Sequence, residues 1–375
     1  MEIVIGVDAS RCRSGGAYSH LFGILNNINL NRFKQIHIWT HKDMIKELPR
    51  GENIFYHTNN FINGNLLLQL FWQFLYLSKD LVKHKCDVLV SLDASTLAFY
   101  KKHIVLSRDM LSYEPGIIQL YPWYSKERIR LEAILFVQNR AFRRANGVIF
   151  LTQYASSIIQ KSCGRLKDFT IIPHGISEYF RNTHQISINS DERRMFRCLY
   201  ISPFDLYKNQ WHVVESISIL RQWGFDVQLD LIGGGEGLGK KRLKDAIIRF
   251  DPNGHFVNLF GKLSHVELID FYKKCDLFIF ASSCENMPNT LLEAMSAGIP
   301  IICSDKGPMP EVLGSCGVYF DPISPISISN AVLKIIKSPE LSMALTNEAK
   351  KVASRYSWDR CSLETLNYVL ETLNK

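Results

Sequence analysis

The chain has 375 residues, 46% of them hydrophobic and 21% charged. That is a globular composition, long enough for two or three domains, and it excludes a disordered, collagenous or small disulfide-stapled protein. The net charge of +8 is uneven, residues 1–190 summing to +9 and residues 191–375 to −1, so the first half prefers an anionic neighbour. The basic residues are dispersed and not interleaved with aromatics, which ranks nucleic acid below a phospholipid surface or a phosphorylated acceptor. Nine cysteines, an odd number with no C-x-x-C pair and no zinc-like clustering with histidine, read as buried thiols in a reducing compartment.

The opening Met1-Glu2-Ile3-Val4-Ile5-Gly6 lacks a basic region ahead of a long apolar core, so it reads as a strand and the expectation is a cytoplasmic protein. Strands are predicted at 3–7, 35–39, 87–91, 103–107, 147–151 and 169–172, with helical patterns at 17–27, 65–83 and 122–144. The longest apolar stretch, 66–77, is broken by Gln69 and Gln73 and is too short to span a bilayer. Residues 181–194 are polar and aperiodic, a linker. The second half repeats the rhythm with strands at 198–201, 227–232, 256–260, 277–281, 300–303 and 317–320, then a helix at 358–373 long enough to cross back.

This alternation gives an α/β class: two doubly wound Rossmann-like domains facing a central cleft, with ligands at the carboxyl ends of the strands. The expected division is a first domain at 1–180, a linker at 181–196, a second domain at 197–355 and a returning helix at 356–375.

In the first half, Ser14-Gly15-Gly16-Ala17 follows the strand carrying Val7 and Asp8, and its glycines let backbone approach a ligand. Arg108-Asp109 follows a strand and faces the expected cleft on the acceptor side, whereas His174 is a turn residue. In the second half Lys208 sits where a helix begins, an unfavourable place for a cation unless an anion compensates it. Gly233-Gly234-Gly235-Glu236-Gly237-Leu238-Gly239 fails the G-x-G-x-x-G spacing of a nicotinamide enzyme, leaving close approach to a ligand or a free surface turn.

The most informative stretch is 282–300. Asn289 after Pro288 reads as a cap for a helix at 290–297 that ends at Gly298, so the amides of Asn289, Thr290 and Leu291 form an anion site. Glu285 precedes this helix and Glu293 lies within it. Two carboxylates would repel a phosphate between them unless each binds hydroxyls further along the ligand, the layout of a nucleotide sugar. No Asp-x-Asp pair offers a magnesium clamp, so neutralising a diphosphate falls to Lys208 and the helix amides, with no metal and no cofactor beyond the donor.

Glu285-x7-Glu293, followed by Ala294-Met295-Ser296-Ala297-Gly298-Ile299-Pro300, resembles the signature of the retaining GT-B glycosyltransferases of family four. The resemblance covers most of the chain: Gly15-Gly16, Ile172-Pro173-His174-Gly175, Lys208, Gly233, Gly261 and both glutamates. It implies that the first domain binds the acceptor and the second the nucleotide sugar. Glu285 would then hold sugar hydroxyls, Glu293 the ribose and Lys208 the diphosphate. The amides of Asn289 to Leu291 would meet the phosphate oxygens, and Gly16 would approach from the first domain.

The family's arginine about five residues before the lysine is replaced here by Ser202-Pro203, and its Gly-Phe-Gly by Asn286-Met287-Pro288-Asn289. With Gly307-Pro308-Met309-Pro310-Glu311, that form resembles the bacterial O-antigen and capsule branch, many of whose members are mannosyltransferases. The resemblance thus implies transfer of mannose from GDP-mannose to a lipid-linked glycan of lipopolysaccharide type, peripherally at the inner face of the plasma membrane. The alternatives are a sugar-nucleotide epimerase, a sugar phosphorylase, or a non-enzymatic scaffold that binds sugar nucleotide.

Overall fold

Parallel pairing joins the thirteen strands found among the described residues into two sheets, one in each of two units. The computed structural model of the chain describes residues 3–13, 16–27, 33–181, 183 and 195–375. The first unit comprises 1–175 and 356–375, the second 176–355. The expected linker at 181–196 lies mostly outside the described residues.

In the first unit the strands are β1 (Val4–Asp8), β2 (Gln35–Trp39), β3 (Ile54–His57), β4 (Val88–Ser91), β5 (His103–Leu106), β6 (Gly147–Phe150) and β7 (Phe169–Ile171), ordered β3-β2-β1-β4-β5-β6-β7. β3 was not expected from the sequence. It is four residues long at the sheet edge and buries only Ile54, too short to show a strand period.

The second unit contains β8 (Phe196–Ile201), β9 (Val227–Ile232), β10 (Val257–Phe260), β11 (Leu277–Phe280), β12 (Ile301–Ser304) and β13 (Val318–Phe320), ordered β10-β9-β8-β11-β12-β13. The inner strands β11 and β12 are wholly buried, as strands covered by helices on both faces must be. In both sheets the order reverses beside the first strand, between β1 and β4 and between β8 and β11. Loops diverge there at the carboxyl edge and leave a crevice for ligands.

The pattern at 65–83 is two helices, Leu66–Trp72 and Ser78–Lys83, joined through a π turn at Gln73–Leu77. The carboxyl-terminal helix Trp358–Asn374 packs within the first unit against helix Gly16–Asn27. The fit depends on Gly23, where a Cβ would lie 2.2 Å from the Trp358 indole.

Gly23→Ala therefore sets two effects against each other. Helix propensity favours alanine by about 1 kcal/mol, but the rigid indole cannot move aside as a flexible side chain would, and overpacking costs about 1–3 kcal/mol. We expect net destabilisation, read as a lower denaturant midpoint with an unchanged slope; a midpoint at or above that of the parent chain would show that the indole yields.

Candidate active site

The second unit brings Lys208 and Glu285 together at its switch point. Lys208 ends a 3-10 turn, Leu206–Lys208, in the loop leaving β8, ahead of helix Gln210–Gln222. Glu285 lies in the loop leaving β11. Asn209, held in the left-handed region at φ 56°, latches the two loops. Its side-chain amide donates to the Ala281 carbonyl at 2.9 Å and to Ser283 Oγ at 2.7 Å. The Ser283 amide donates to the Tyr207 carbonyl at 2.7 Å, and the buried Tyr200 hydroxyl to the Lys208 carbonyl at 2.6 Å.

So held, Lys208 Nζ forms a direct ion pair with Glu285 Oε1, the two side chains only 8% and 15% exposed. The ammonium also lies 5.0 Å from the centre of the Tyr207 ring, a cation–π contact. The anion expected to compensate Lys208 is, within the chain, Glu285. Lys208 precedes the helix instead of opening it.

The glycine loop after β9 has a packing role that neither expectation included. A Cβ on Gly233, at φ 155°, would stand 1.9 Å from the Ser202 carbonyl, and one on Gly239 would stand 2.3 Å from the Phe204 carbonyl. These glycines let the turn pack on the backbone of the β8 loop, which carries Lys208. Ser202 is buried and its Oγ accepts from Gln210 Nε2 at 2.8 Å. No atom lies within 4 Å of a Cβ built on Gly261, so packing does not dictate that glycine.

Helix Asn289–Ala297 begins differently from the sequence reading. Pro288, not Asn289, occupies the cap position, and no side chain caps the helix. Pro288 has φ −82° and ψ 81°, close to an inverse γ-turn, and the Asn289 amide closes that turn on the Met287 carbonyl at 3.0 Å. The Asn289 amide is thus committed to the turn, and Thr290 and Leu291 supply the remaining first-turn donors.

Glu293, on the second turn and partly buried, accepts from the Tyr272 hydroxyl at 3.3 Å. Burial pushes its carboxyl up to about 8, against the smaller opposing effect of that hydrogen bond. This removes the repulsion between two carboxylates and an anion, because Glu285 is paired with a cation and Glu293 is largely neutral at pH 7.

In the first unit Gly16 opens the helix after β1, and Gly15 lies outside the described residues. Arg108 and Asp109 follow β5. Arg108 Nη2 donates to Asp93 Oδ2 at 3.1 Å, so its charge is matched by a carboxylate that the sequence reading passed over. Burial alone would raise Asp93, but Arg108 and Arg11 hold it below the usual carboxylate range. Asp109 accepts from the Leu111 amide at 3.0 Å, and burial raises its carboxyl. Asn209 and Ser283 were also missed, since their contact joins loops 74 residues apart, and so was Tyr200, whose buried hydroxyl reaches a carbonyl eight residues on, a contact periodicity does not register.

Residues 182–352 match the family model of the "Glycosyl transferases group 1". Over 112 residues the chain is 29% identical to the O-antigen chain mannosyltransferase B of Escherichia coli, covering 30% of this chain and 29% of that protein. It is 24% identical over 216 residues to a putative teichuronic acid biosynthesis glycosyltransferase, TuaC, of Bacillus subtilis, covering 55% and 49%. The chain therefore spans less than half of either relative.

Among solved structures, sucrose-phosphate synthase of Thermosynechococcus elongatus superimposes with a TM-score of 0.78 at 15% identity, over 99% of both chains. Anabaena Alr3699/HepE, solved in complex with UDP-glucose, does so at 0.72 and 18% identity over the whole of both. These likenesses establish the two-domain GT-B fold.

The raised Glu293 carboxyl makes a pH prediction. The folded chain keeps this proton up to about pH 8, whereas the ordinary glutamate value is 4.5. Its stabilising contribution is present below 4.5 and is lost as pH rises through about 8. Glu293→Gln, which stays neutral, should flatten that part of the stability profile. Denaturant midpoints at pH 6 and pH 9 should converge in the variant relative to the parent; parallel profiles would mean that Glu293 does not titrate in this window.

Proposed function

We propose, from the match of residues 182–352 to the group 1 glycosyl transferases, that the chain transfers a hexose from a nucleotide sugar to a growing surface glycan. The observation that carries this is the Lys208–Glu285 pair at the switch point, beside the helix whose first-turn donors include Thr290 and Leu291. As the bond from the anomeric carbon to the phosphate oxygen breaks, negative charge collects on the diphosphate. Lys208 and those amides stabilise it, each fixed donor being worth about 3 kcal/mol.

Glu285 orients the sugar hydroxyls, and Glu293, as a neutral acid, can both donate to and accept from ribose hydroxyls. The acceptor attacks on the leaving group's face, retaining configuration, and its proton passes to the departing phosphate. No protein base and no resident metal or cofactor enters this reading. The donor is GDP-mannose, a choice supported by the motif 286–289 and by the likeness to the Escherichia coli mannosyltransferase. A UDP-sugar is the competing outcome.

The acceptor is a lipid-linked glycan at the inner face of the plasma membrane. Among the described residues no helix is long and apolar enough to cross a membrane, so the proposed contact is peripheral, through the basic first unit. Helix Lys126–Arg144 buries Leu131, Ala141 and Phe142 but leaves Phe136 73% exposed, with Trp123 just before it at 78%. On the segment 66–77, Leu67 and Phe74 are 75% and 65% exposed. Apolar side chains beside arginines suit the headgroup region of an anionic bilayer.

Thermal-shift screening against GDP, UDP and dTDP sugars should single out GDP-mannose. With that donor, Glu285→Gln should reduce turnover by roughly a hundredfold or more while keeping the fold. Glutamine is preferred because its amide oxygen still accepts from the buried Lys208 ammonium, whereas alanine removes both the counter-charge and the acceptor. Near-normal transfer by the folded glutamine variant defeats the assignment; donor conversion without acceptor identifies an epimerase, and dependence on inorganic phosphate a phosphorylase.

For the membrane contact, sedimentation with phosphatidylglycerol vesicles should weaken with added salt and fall at least severalfold in the double variant Trp123→Ser, Phe136→Ser. Equal binding by both proteins removes these side chains from the contact.

A further inference from the structure

We propose that His37, His57 and His84 of the first unit form a binding site for a divalent transition-metal ion of the zinc type. His37 lies on β2, His57 ends the edge strand β3, and His84 caps helix Ser78–Lys83. One ligand nitrogen from each lies within 4.8 Å of the others. His37 Nδ1 and His57 Nε2 are 2.9 Å apart, near the spacing of about 3.3 Å set by two nitrogens at 2.0–2.1 Å from a tetrahedral zinc. Rotation of His84 at its helix end closes the remainder.

The surroundings fit a coordinating set. Gln35 Oε1 lies 3.2 Å from His37 Nε2 and accepts its proton, which fixes the tautomer and leaves the Nδ1 lone pair pointing at His57. An outer partner of this kind normally orients a metal-bound histidine. Coordination moves the His57 proton from Nε2 to Nδ1, so the imidazole stays neutral. His84 sits at a helix carboxyl terminus, where the dipole favours a cation; Lys83 beside it works in the opposite direction. His37 is buried while His57 and His84 are partly exposed, which gives the ion a route in and leaves a fourth position for water.

Three imidazoles select zinc, cobalt, nickel or copper over magnesium and calcium. The three ligands come from β2, β3 and the end of a helix, so the ion would staple the edge of the sheet. This role is independent of transfer chemistry in the second unit.

The test is titration of the full, untagged chain with Co(II), followed by visible absorption. We expect one equivalent to give the intense bands of tetrahedral cobalt, which zinc then displaces, and zinc at a hundredfold excess over its Kd to raise the thermal midpoint by roughly 5–10 °C. His84→Ala, at a partly exposed helix end, should fold with unchanged circular dichroism and lose both the bands and the shift. His57→Ala should do the same. Absence of one-to-one binding, or the same bands and shift in a folded His84→Ala chain, would overturn the site. Donor-induced thermal shifts, measured in parallel without metal, separate this result from that of the transferase reading.

Discussion

The second unit depends on keeping one ammonium and one carboxylate out of water and in contact. Desolvating each ion costs several kcal/mol, and the attraction offsets this only if the geometry is fixed. Lys208 and Glu285 belong to different loops, so the sheet edge must fix it. Asn209 bridges the loops by accepting a left-handed backbone that few non-glycine residues adopt, the Tyr200 hydroxyl ties down the Lys208 carbonyl, and the glycines at 233 and 239 let a third loop pack beneath. Four chain segments are thus committed to holding one cation at the carboxyl edge. A lysine kept for stability alone would not need this arrangement, since a well-packed apolar pair would serve as well.

The same logic appears at the first unit's switch point with different residues. Asp93, in the loop after β4, faces Arg108 from the loop after β5 and Arg11 from the loop after β1. Two arginines there flank one carboxylate, with Asp8 and Asp109 close by. In the second unit a further adjustment occurs: Glu293 is neutralised by burial, so the helix start is not opposed by a second negative charge. Each edge thus holds its cations against carboxylates drawn from neighbouring loops.

Much of this was legible in the sequence because parallel, helix-covered strands are continuous apolar runs. β2 and β9 lie where periodicity puts them, and the returning helix differs by one residue at its end. The edge strand β3 escaped because it has four residues and buries only Ile54. At the site, Glu285 and Lys208 stood out through their positions on strand-to-helix turns, and Glu293 through its place in the helix that follows. Their states did not, because pairing and burial are tertiary facts. The Asn289 cap was misread for a local reason: Pro288 sets up a γ-turn that uses the next amide, and cap preference alone does not register it. The three histidines, 20 and 27 residues apart, carry no ligand spacing; the register of β2 on β3 and the end of a helix bring them together.

Segment 66–77 inverts the usual reading of amphipathicity. Gln69 and Gln73, which break its apolar run, are 4% and 1% exposed, whereas its leucines and phenylalanines are largely outside. Gln73 explains part of this. Its amide donates to Asp8 Oδ2 at 2.7 Å and its carbonyl oxygen accepts from the Leu97 amide at 3.3 Å, joining the end of β1 to the loop after β4. Burying Asp8 requires such a partner, since an unpaired carboxylate in that setting is far more costly than a turn of irregular helix. The π turn begins at Gln73 itself, where one extra residue per turn shifts the helix face that meets the sheet. Turning the glutamines inward leaves the apolar side chains outward, so the demand for a satisfied Asp8 at the switch point also leaves most of this segment's leucines and phenylalanines exposed.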